Sequence, residues 1–230
     1  IFVVGNSRSG TTMMARIMDR HPDVMMFREL HFFEELWSPD AAAEELSAAA
    51  AVELAATLLS IQRDGYMARR DIDAWRPEAE QLIAGLPTPP TEPSHVFTAF
   101  LRHETARAGV SIACEQTPRN VFYLEQIIEL FPAALIIEMV RDPRDVMLSK
   151  KYKWKRSYLG ASKRPWRAAL LSWANYHPLL TARLWVAAVR AGQRYPEGQA
   201  ILRVRYEDLL ADGPGVVGRI CRRAGVRFDP

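Results

Sequence analysis

Ile1-Phe2-Val3-Val4-Gly5-Asn6-Ser7-Arg8-Ser9-Gly10-Thr11-Thr12 is the stretch whose reading decides the fold. Ile1 to Val4 is a short apolar run rich in β-formers that stops at Gly5, the pattern of a buried strand. A Gly/Ser/Asn loop follows. From Thr11 to Arg20 the apolar residues Met13, Met14, Ile17 and Met18 recur at helical spacing, and His21-Pro22 ends the helix. A strand, a glycine-bounded loop and a helix in this order turn backbone N–H groups and a helix N-terminus toward one point. That arrangement suits a phosphate.

Gly5 and Gly10 have the Gly-x4-Gly spacing of a Walker A loop, but Thr11 stands where the lysine belongs. The cation comes earlier, as Arg8. An ordinary P-loop kinase or NTPase needs its lysine at the fixed position to reach the β/γ-phosphates, so the displaced cation argues against an ATP–Mg enzyme, which is the rival reading here. A bare Gly/Ser turn without a ligand is the plain alternative.

Working outward, Val24 to Phe27 reads as a second strand, and Ala41 to Gln62 and Trp75 to Ala84 as helices. Leu86 to Ser94 carries Pro87, Pro89, Pro90 and Pro93 and reads as a loop. Helix is expected over His95–Ala108, strand over Val110–Glu115, helix over Asn120–Phe131 and a strongly apolar strand over Ala134–Val140. Arg144 to Tyr152 begins a helix behind an Asp142-Pro143 turn. Trp166 to Ala191 is a long amphipathic helix that Pro178 kinks or splits. Ala200 to Val204 is a last strand and Gly215 to Ala224 a last helix. Strands alternating with helices predict an α/β fold, a three-layer αβα arrangement around a central parallel sheet. One domain over residues 1–230 is expected, with a helical insertion at about 37–109.

The composition narrows the classes. A chain of 230 residues, 49% hydrophobic and 25% charged, has the make-up of a globular domain able to bury a large core. Cys114 and Cys221 are too few for a disulfide framework, and no Cys/His spacing resembles a zinc site. No apolar run spans a bilayer, since Glu44, Glu45 and Glu53 interrupt the Ala-rich stretch from Ala41 to Ser60. No leader pattern is present, so cytoplasmic residence is the default expectation, with room upstream for a leader or anchor. A net charge of +3 fits anionic small ligands better than a nucleic-acid partner. The dense cations Lys150, Lys151, Lys153, Lys155 and Arg156 read first as a solvated face. The sequence assigns no oligomeric state.

A second anion anchor follows the strongest strand. Arg141, at that strand's carboxyl end, and Ser149, eight residues on, can both donate to one phosphate. Lys153, one turn later, would add a cation.

Together these residues resemble a known family. Arg8-Ser9-Gly10-Thr11-Thr12 resembles the 5′-phosphosulfate loop of sulfotransferases that use 3′-phosphoadenosine 5′-phosphosulfate (PAPS). The Arg141/Ser149 spacing resembles the same family's site for the 3′-phosphate. Val204-Arg205-Tyr206-Glu207-Asp208-Leu209-Leu210 resembles a late segment that places Tyr206 near the adenine; a tyrosine that merely packs in the core is the other reading. Glu29-Leu30-His31-Phe32-Phe33 is similar to the Glu-x-His-Phe-Phe segment of carbohydrate sulfotransferases. The resemblance implies a P-loop NTPase-like sulfotransferase fold, PAPS as donor with PAP as its product, and a carbohydrate or small-molecule acceptor. It also implies Glu29 as catalytic base, with His31 beside the acceptor or simply hydrogen-bonded nearby. Arg8 would act electrostatically, because arginine stays protonated. No metal is implied. One position departs: Cys114-Glu115-Gln116-Thr117-Pro118 carries Gln116 where the family commonly has a lysine that holds the transferring sulfate. A module that binds nucleotide but has lost its chemistry is therefore the non-enzyme alternative.

Other signals carry little. His103-Glu104 begins like a zincin motif, but Arg107 stands where its second histidine belongs. Gly5-x-Ser7 lacks the closing glycine of a nucleophile elbow. Trp154, Trp166, Trp173 and Trp185 read as core at helical spacing rather than as a base-stacking surface.

Overall fold

Five short strands, β1 (Phe2–Gly5), β2 (Val24–Met26), β3 (Ile112–Cys114), β4 (Ile136–Val140) and β5 (Ile201–Arg205), pair only in parallel. The computed structural model describes residues 1–39, 46–66, 72–153, 155, 166, 170, 176–198 and 200–228, and those strands are counted among them. β1, β4 and β5 form one ladder and β2 and β3 another. A bridge between Phe2 and Glu115 joins the two, with Val3 N–H donating to the Glu115 carbonyl at 2.8 Å. The strand order is therefore β2-β3-β1-β4-β5. The chain first builds one side of β1 and then crosses to the other, which puts the switch point of the sheet at β1.

Side chains alternate between the two faces. Phe2, Val4, Ile136 and Ile201 belong to one apolar cluster, while Val3, Ile137, Met139, Leu202 and Val204 belong to the other. α1 (Thr11–Met18) and α9 (Gly213–Ala224) cover the second face through Met14, Met18, Val216 and Ile220. The first face is covered by α2 (Ala48–Asp64), α4 (Pro93–Ala108), α5 (Leu124–Leu130) and α7 (Pro178–Gln193), with α3 (Arg76–Ala84) packed against α2. α6 (Pro143–Lys151) follows β4, and α8 (Tyr206–Ala211) follows β5. The expected three-layer α/β architecture is present, with the P-loop element order at its start.

Several boundaries differ from the sequence expectation. α2 starts at Ala48, where Ser47 caps it by accepting from the Ala50 N–H; residues 40–45 lie outside the described set. The helix expected over Asn120–Phe131 is two pieces, a tight turn at Pro118–Phe122 and then α5. Tyr123 breaks the run with φ −120° and ψ 27°, and the Asn120 side chain is drawn to Glu115. Pro178 begins a helix rather than bending one, as its missing N–H allows at a first turn. Of the tryptophans read as core, Trp166 is 58% exposed and Trp185 is half-buried, donating to the Arg141 carbonyl at 3.0 Å. Trp154 and Trp173 lie outside the described residues.

Glu78, His103 and Glu104 approach closely enough to resemble a metal cluster, which the sequence did not suggest. Arg63 explains it. Its guanidinium donates to Glu78 and to the buried Glu104, each at 2.6 Å, and His103 bonds Glu78 at 2.8 Å. This ion-pair network ties α2, α3 and α4 together, and Arg63 holds Glu78 down at about 2. Among the described residues, no helix is long and apolar enough to cross a membrane.

Candidate active site

In a parallel sheet all strands end on one edge, and every candidate residue leaves the sheet there. The glycine-bounded loop follows β1, Glu29 follows β2, Gln116 follows β3, Arg141 follows β4 and Tyr206 follows β5.

The loop turns into α1 at Gly10, whose left-handed φ of 96° only glycine adopts without strain. A Cβ at Gly10 would lie 2.4 Å from a ring carbon of Tyr206, so the position needs glycine for space as well. Arg8 is itself left-handed, at φ 77°. It is held there on both sides: its Nε donates to Ser149 Oγ at 3.1 Å, and Arg141 Nη1 donates to its carbonyl at 3.3 Å. A non-glycine residue in this region costs about 1–3 kcal/mol, which such contacts must offset.

Arg141 lies over Tyr206, its guanidinium carbon 4.2 Å from the ring centroid. Asp145 stands 3.9 Å away, one turn along α6. Two buried polar atoms beside the loop have no hydrogen-bond partner among the described residues, Ser9 Oγ and Arg141 Nε. Such atoms are uncommon in a finished interior; of the two, only Arg141 Nε belongs to a side chain that lines the site cavity.

Glu29 stands opposite, its side chain 45% exposed. Gln116 Nε2 donates to its Oε1 at 3.2 Å, and His31 Nε2 lies 3.6 Å from its Oε2. His31 in turn meets Glu34 through Nδ1 at 3.1 Å, and Arg119 pairs with the other Glu34 oxygen. The Tyr66 ring packs 4.6 Å from the His31 ring.

One cavity of about 270 Å³ collects these parts. Arg8, Gly10, Thr11, Thr12, Glu29, Arg141, Ser149 and Tyr206 all line it. Three other candidates lie off its wall: Ser9 is fully buried under the loop, His31 sits beside Glu29, and Lys153 is exposed past the end of α6. Lys150, read in the sequence only as part of a solvated run, is partly buried next to Ser149 and feels the charge of Arg8. Burial pushes its ammonium down, and the charges of Lys153 and Arg8 push it further in the same direction. Its place beside Ser149 was the available signal. Glu115, also unremarked in the sequence, is fully enclosed; burial pushes its carboxyl up to about 7, with Glu29 adding to the shift. Hydrogen bonds from Thr117 and the Leu30 N–H oppose that rise.

Known proteins share this architecture. The sulfotransferase family profile matches residues 1–230. Two rat proteins align over part of the chain. Sulfotransferase 2A1 of Rattus norvegicus is 32% identical over 97 residues, which cover 42% of this chain and 34% of that protein. Sulfotransferase 2A6 of the same species is 30% identical over 99 residues, with the same shares. The match thus spans about a third of those curated relatives. Among solved structures, the sulfotransferase domain from the curacin biosynthetic pathway superposes with a TM-score of 0.56 at 19% identity, covering 100% of this chain and 74% of that one. The sulfotransferase from Alicyclobacillus acidocaldarius gives 0.54 at 20% identity, covering 100% and 82%. The fold of those structures is the fold of this chain, and the profile match over its whole length makes it a member of the sulfotransferase family.

Proposed function

We propose that the protein transfers a sulfuryl group from PAPS to an acceptor hydroxyl, with Glu29 as the base. The observation that carries this reading is the single cavity into which four separate strand ends deliver Arg8, Glu29, Arg141 with Ser149, and Tyr206. Arg141 Nε, without a partner among the described residues and on a side chain that lines this cavity, fits an anionic donor. Bound there, PAPS supplies a sulfuryl group activated by its 5′-phosphate. The loop N–H groups, Thr11 and Thr12 would hold that phosphosulfate end, with Ser9 buried behind them as part of the loop's frame. Arg141 and Ser149 would grip the 3′-phosphate, with Lys150 and Lys153 adding positive field. Tyr206, under the Arg141 guanidinium, would support the adenine side.

Glu29 takes the proton of the acceptor hydroxyl as its oxygen attacks sulfur in line. Arg8 and the loop amides stabilise the charge that gathers on the leaving phosphate oxygen. His31, backed by Glu34, keeps the Glu29 carboxylate facing the acceptor side. Helices α2 to α4, between β2 and β3, serve in this reading as an insertion within one domain that shapes the acceptor side for a carbohydrate or small molecule. No resident metal is needed, because a sulfuryl group carries less charge than a phosphoryl group and Arg8 is at hand.

The experiment follows PAP release from PAPS over a panel of hydroxyl acceptors. Turnover is expected to survive EDTA, and Glu29→Gln to abolish it while PAP still binds. Loss of PAP affinity in Glu29→Gln would remove that residue from the base role. A requirement for Mg²⁺ with ATP would favour a kinase-like enzyme instead, and binding without any sulfated product a degenerate module.

A further inference from the structure

β2 and β3 pair as strands only to Met26 and Cys114, with one further backbone bond from Phe27 N–H to the Cys114 carbonyl at 2.8 Å. Beyond that point side chains continue the ladder. Three consecutive residues after β3 hold three consecutive residues after β2. Glu115 accepts from the Leu30 N–H at 3.5 Å, Gln116 donates to Glu29 at 3.2 Å, and Thr117 Oγ1 accepts from the His31 N–H at 3.3 Å. Glu115, Gln116 and Thr117 are all buried. Glu115 also accepts from the Thr117 hydroxyl and from Asn120 Nδ2, so the clasp is braced from within.

Gln116 reaches further. Its Nε2 also lies 3.5 Å from Thr11 Oγ1, at the start of α1. An amide nitrogen carries two N–H donors, so one side chain can face both the base and the phosphate loop. Without such a contact, a half-exposed carboxylate on an irregular segment would sample several rotamers, and a base must lie within hydrogen-bond reach of its proton. An error of about 1 Å is enough to cost on the order of 10²-fold in rate.

We infer that Glu115-Gln116-Thr117 is a positioning element for the base, and that Gln116 ties Glu29 to the phosphate loop. The inference rests on Glu29 being the base. The position where a lysine is expected thereby takes a different role, in which the neutral amide orients the carboxylate and sulfate stabilisation is left to Arg8 and the loop.

The test uses PAPS alone, with water as acceptor. Glu29 takes a water proton, the water oxygen bonds to sulfur as the bond from sulfur to the 5′-phosphate oxygen breaks, and sulfate and PAP leave. PAP release is measured for the wild type, Glu29→Gln, Gln116→Leu and Gln116→Lys, with PAP affinity measured separately. Leucine fills the space without a donor, whereas lysine restores one. Gln116→Leu is expected to slow release about tenfold or more, the loss of about one hydrogen bond's worth of orientation, with PAP affinity within about twofold. Gln116→Lys should recover most of the rate. Wild-type release by Gln116→Leu, or Gln116→Lys no faster than Gln116→Leu, would overturn the inference.

Backbone hydrogen exchange reads the clasp without any turnover. In Thr117→Val the His31 amide should exchange about tenfold faster, while β4 amides keep their rates. Unchanged His31 exchange would sink the clasp, and this arm decides if Gln116→Leu does not fold. Wild-type PAP release by Glu29→Gln would instead bring down the base assignment itself.

Discussion

Arg8 and Ser149 stand 141 positions apart in the chain, yet Arg8 Nε donates to Ser149 Oγ at 3.1 Å. The bond joins the loop after β1 to the helix after β4, and with it the two ends of the proposed donor site. Arg8 keeps its left-handed backbone partly through this contact and partly through Arg141 on its carbonyl. The two residues should nevertheless fail differently. Arg8→Ala is expected to cut turnover by about 10²–10³, the usual loss for a donor aimed at developing charge. Ser149→Ala should weaken PAP binding by about 1.5–3 kcal/mol with a smaller effect on turnover at saturating donor. Steady-state kinetics beside PAP titration separates them, and equal effects on both quantities would contradict the division of roles.

Gly10 meets two constraints at once, a left-handed φ of 96° and a Tyr206 ring carbon 2.4 Å from any Cβ. Gly10→Ala should therefore destabilise the fold by about 1–3 kcal/mol through strain. It should also weaken PAP more than tenfold, by moving the loop or Tyr206. Thermal denaturation and calorimetry on the same sample check both effects. Unchanged PAP affinity would mean that the Gly10–Tyr206 contact lies outside the donor site.

Glu115 predicts a pH dependence of stability. Burial raises its carboxyl from the usual carboxylate value, 4.5, to about 7 in the folded protein. Between those values the unfolded chain has lost the proton and the folded chain keeps it, so stability falls as pH rises through this window. The effect is at most about 3 kcal/mol, and it is complete above pH 7. Glu115→Gln, which keeps an acceptor without the charge, should be more stable than wild type at pH 8 and lose that advantage by pH 5. Urea denaturation at both values decides it. An equal difference at the two pH values would place the effect in packing rather than ionisation.

Where local spacing sets an element or a loop, the sequence was readable. The loop after β1 has its glycines between an apolar run and a periodic helix, and Arg141 directly follows β4 with Ser149 eight residues on, near the end of α6, so local spacing was enough to single out each set. The parallel αβα order followed from the same alternation. Contacts between segments that meet only in space were not legible. Gln116 and Glu29 are 87 positions apart, and nothing in either segment announces that an amide faces a carboxylate. Arg63 likewise finds Glu78 and Glu104 only because α2, α3 and α4 pack together. Trp166 misled because helical spacing marks a face without saying whether anything covers it.

The most direct measurement is calorimetric titration with PAP, with 5′-AMP and with ATP plus Mg²⁺, on the wild type and on Arg141→Ala. The account predicts tight PAP binding, little affinity for 5′-AMP, and a loss of about 1.5–3 kcal/mol for PAP in Arg141→Ala. Preference for ATP with Mg²⁺, or PAP binding indifferent to Arg141, would contradict it.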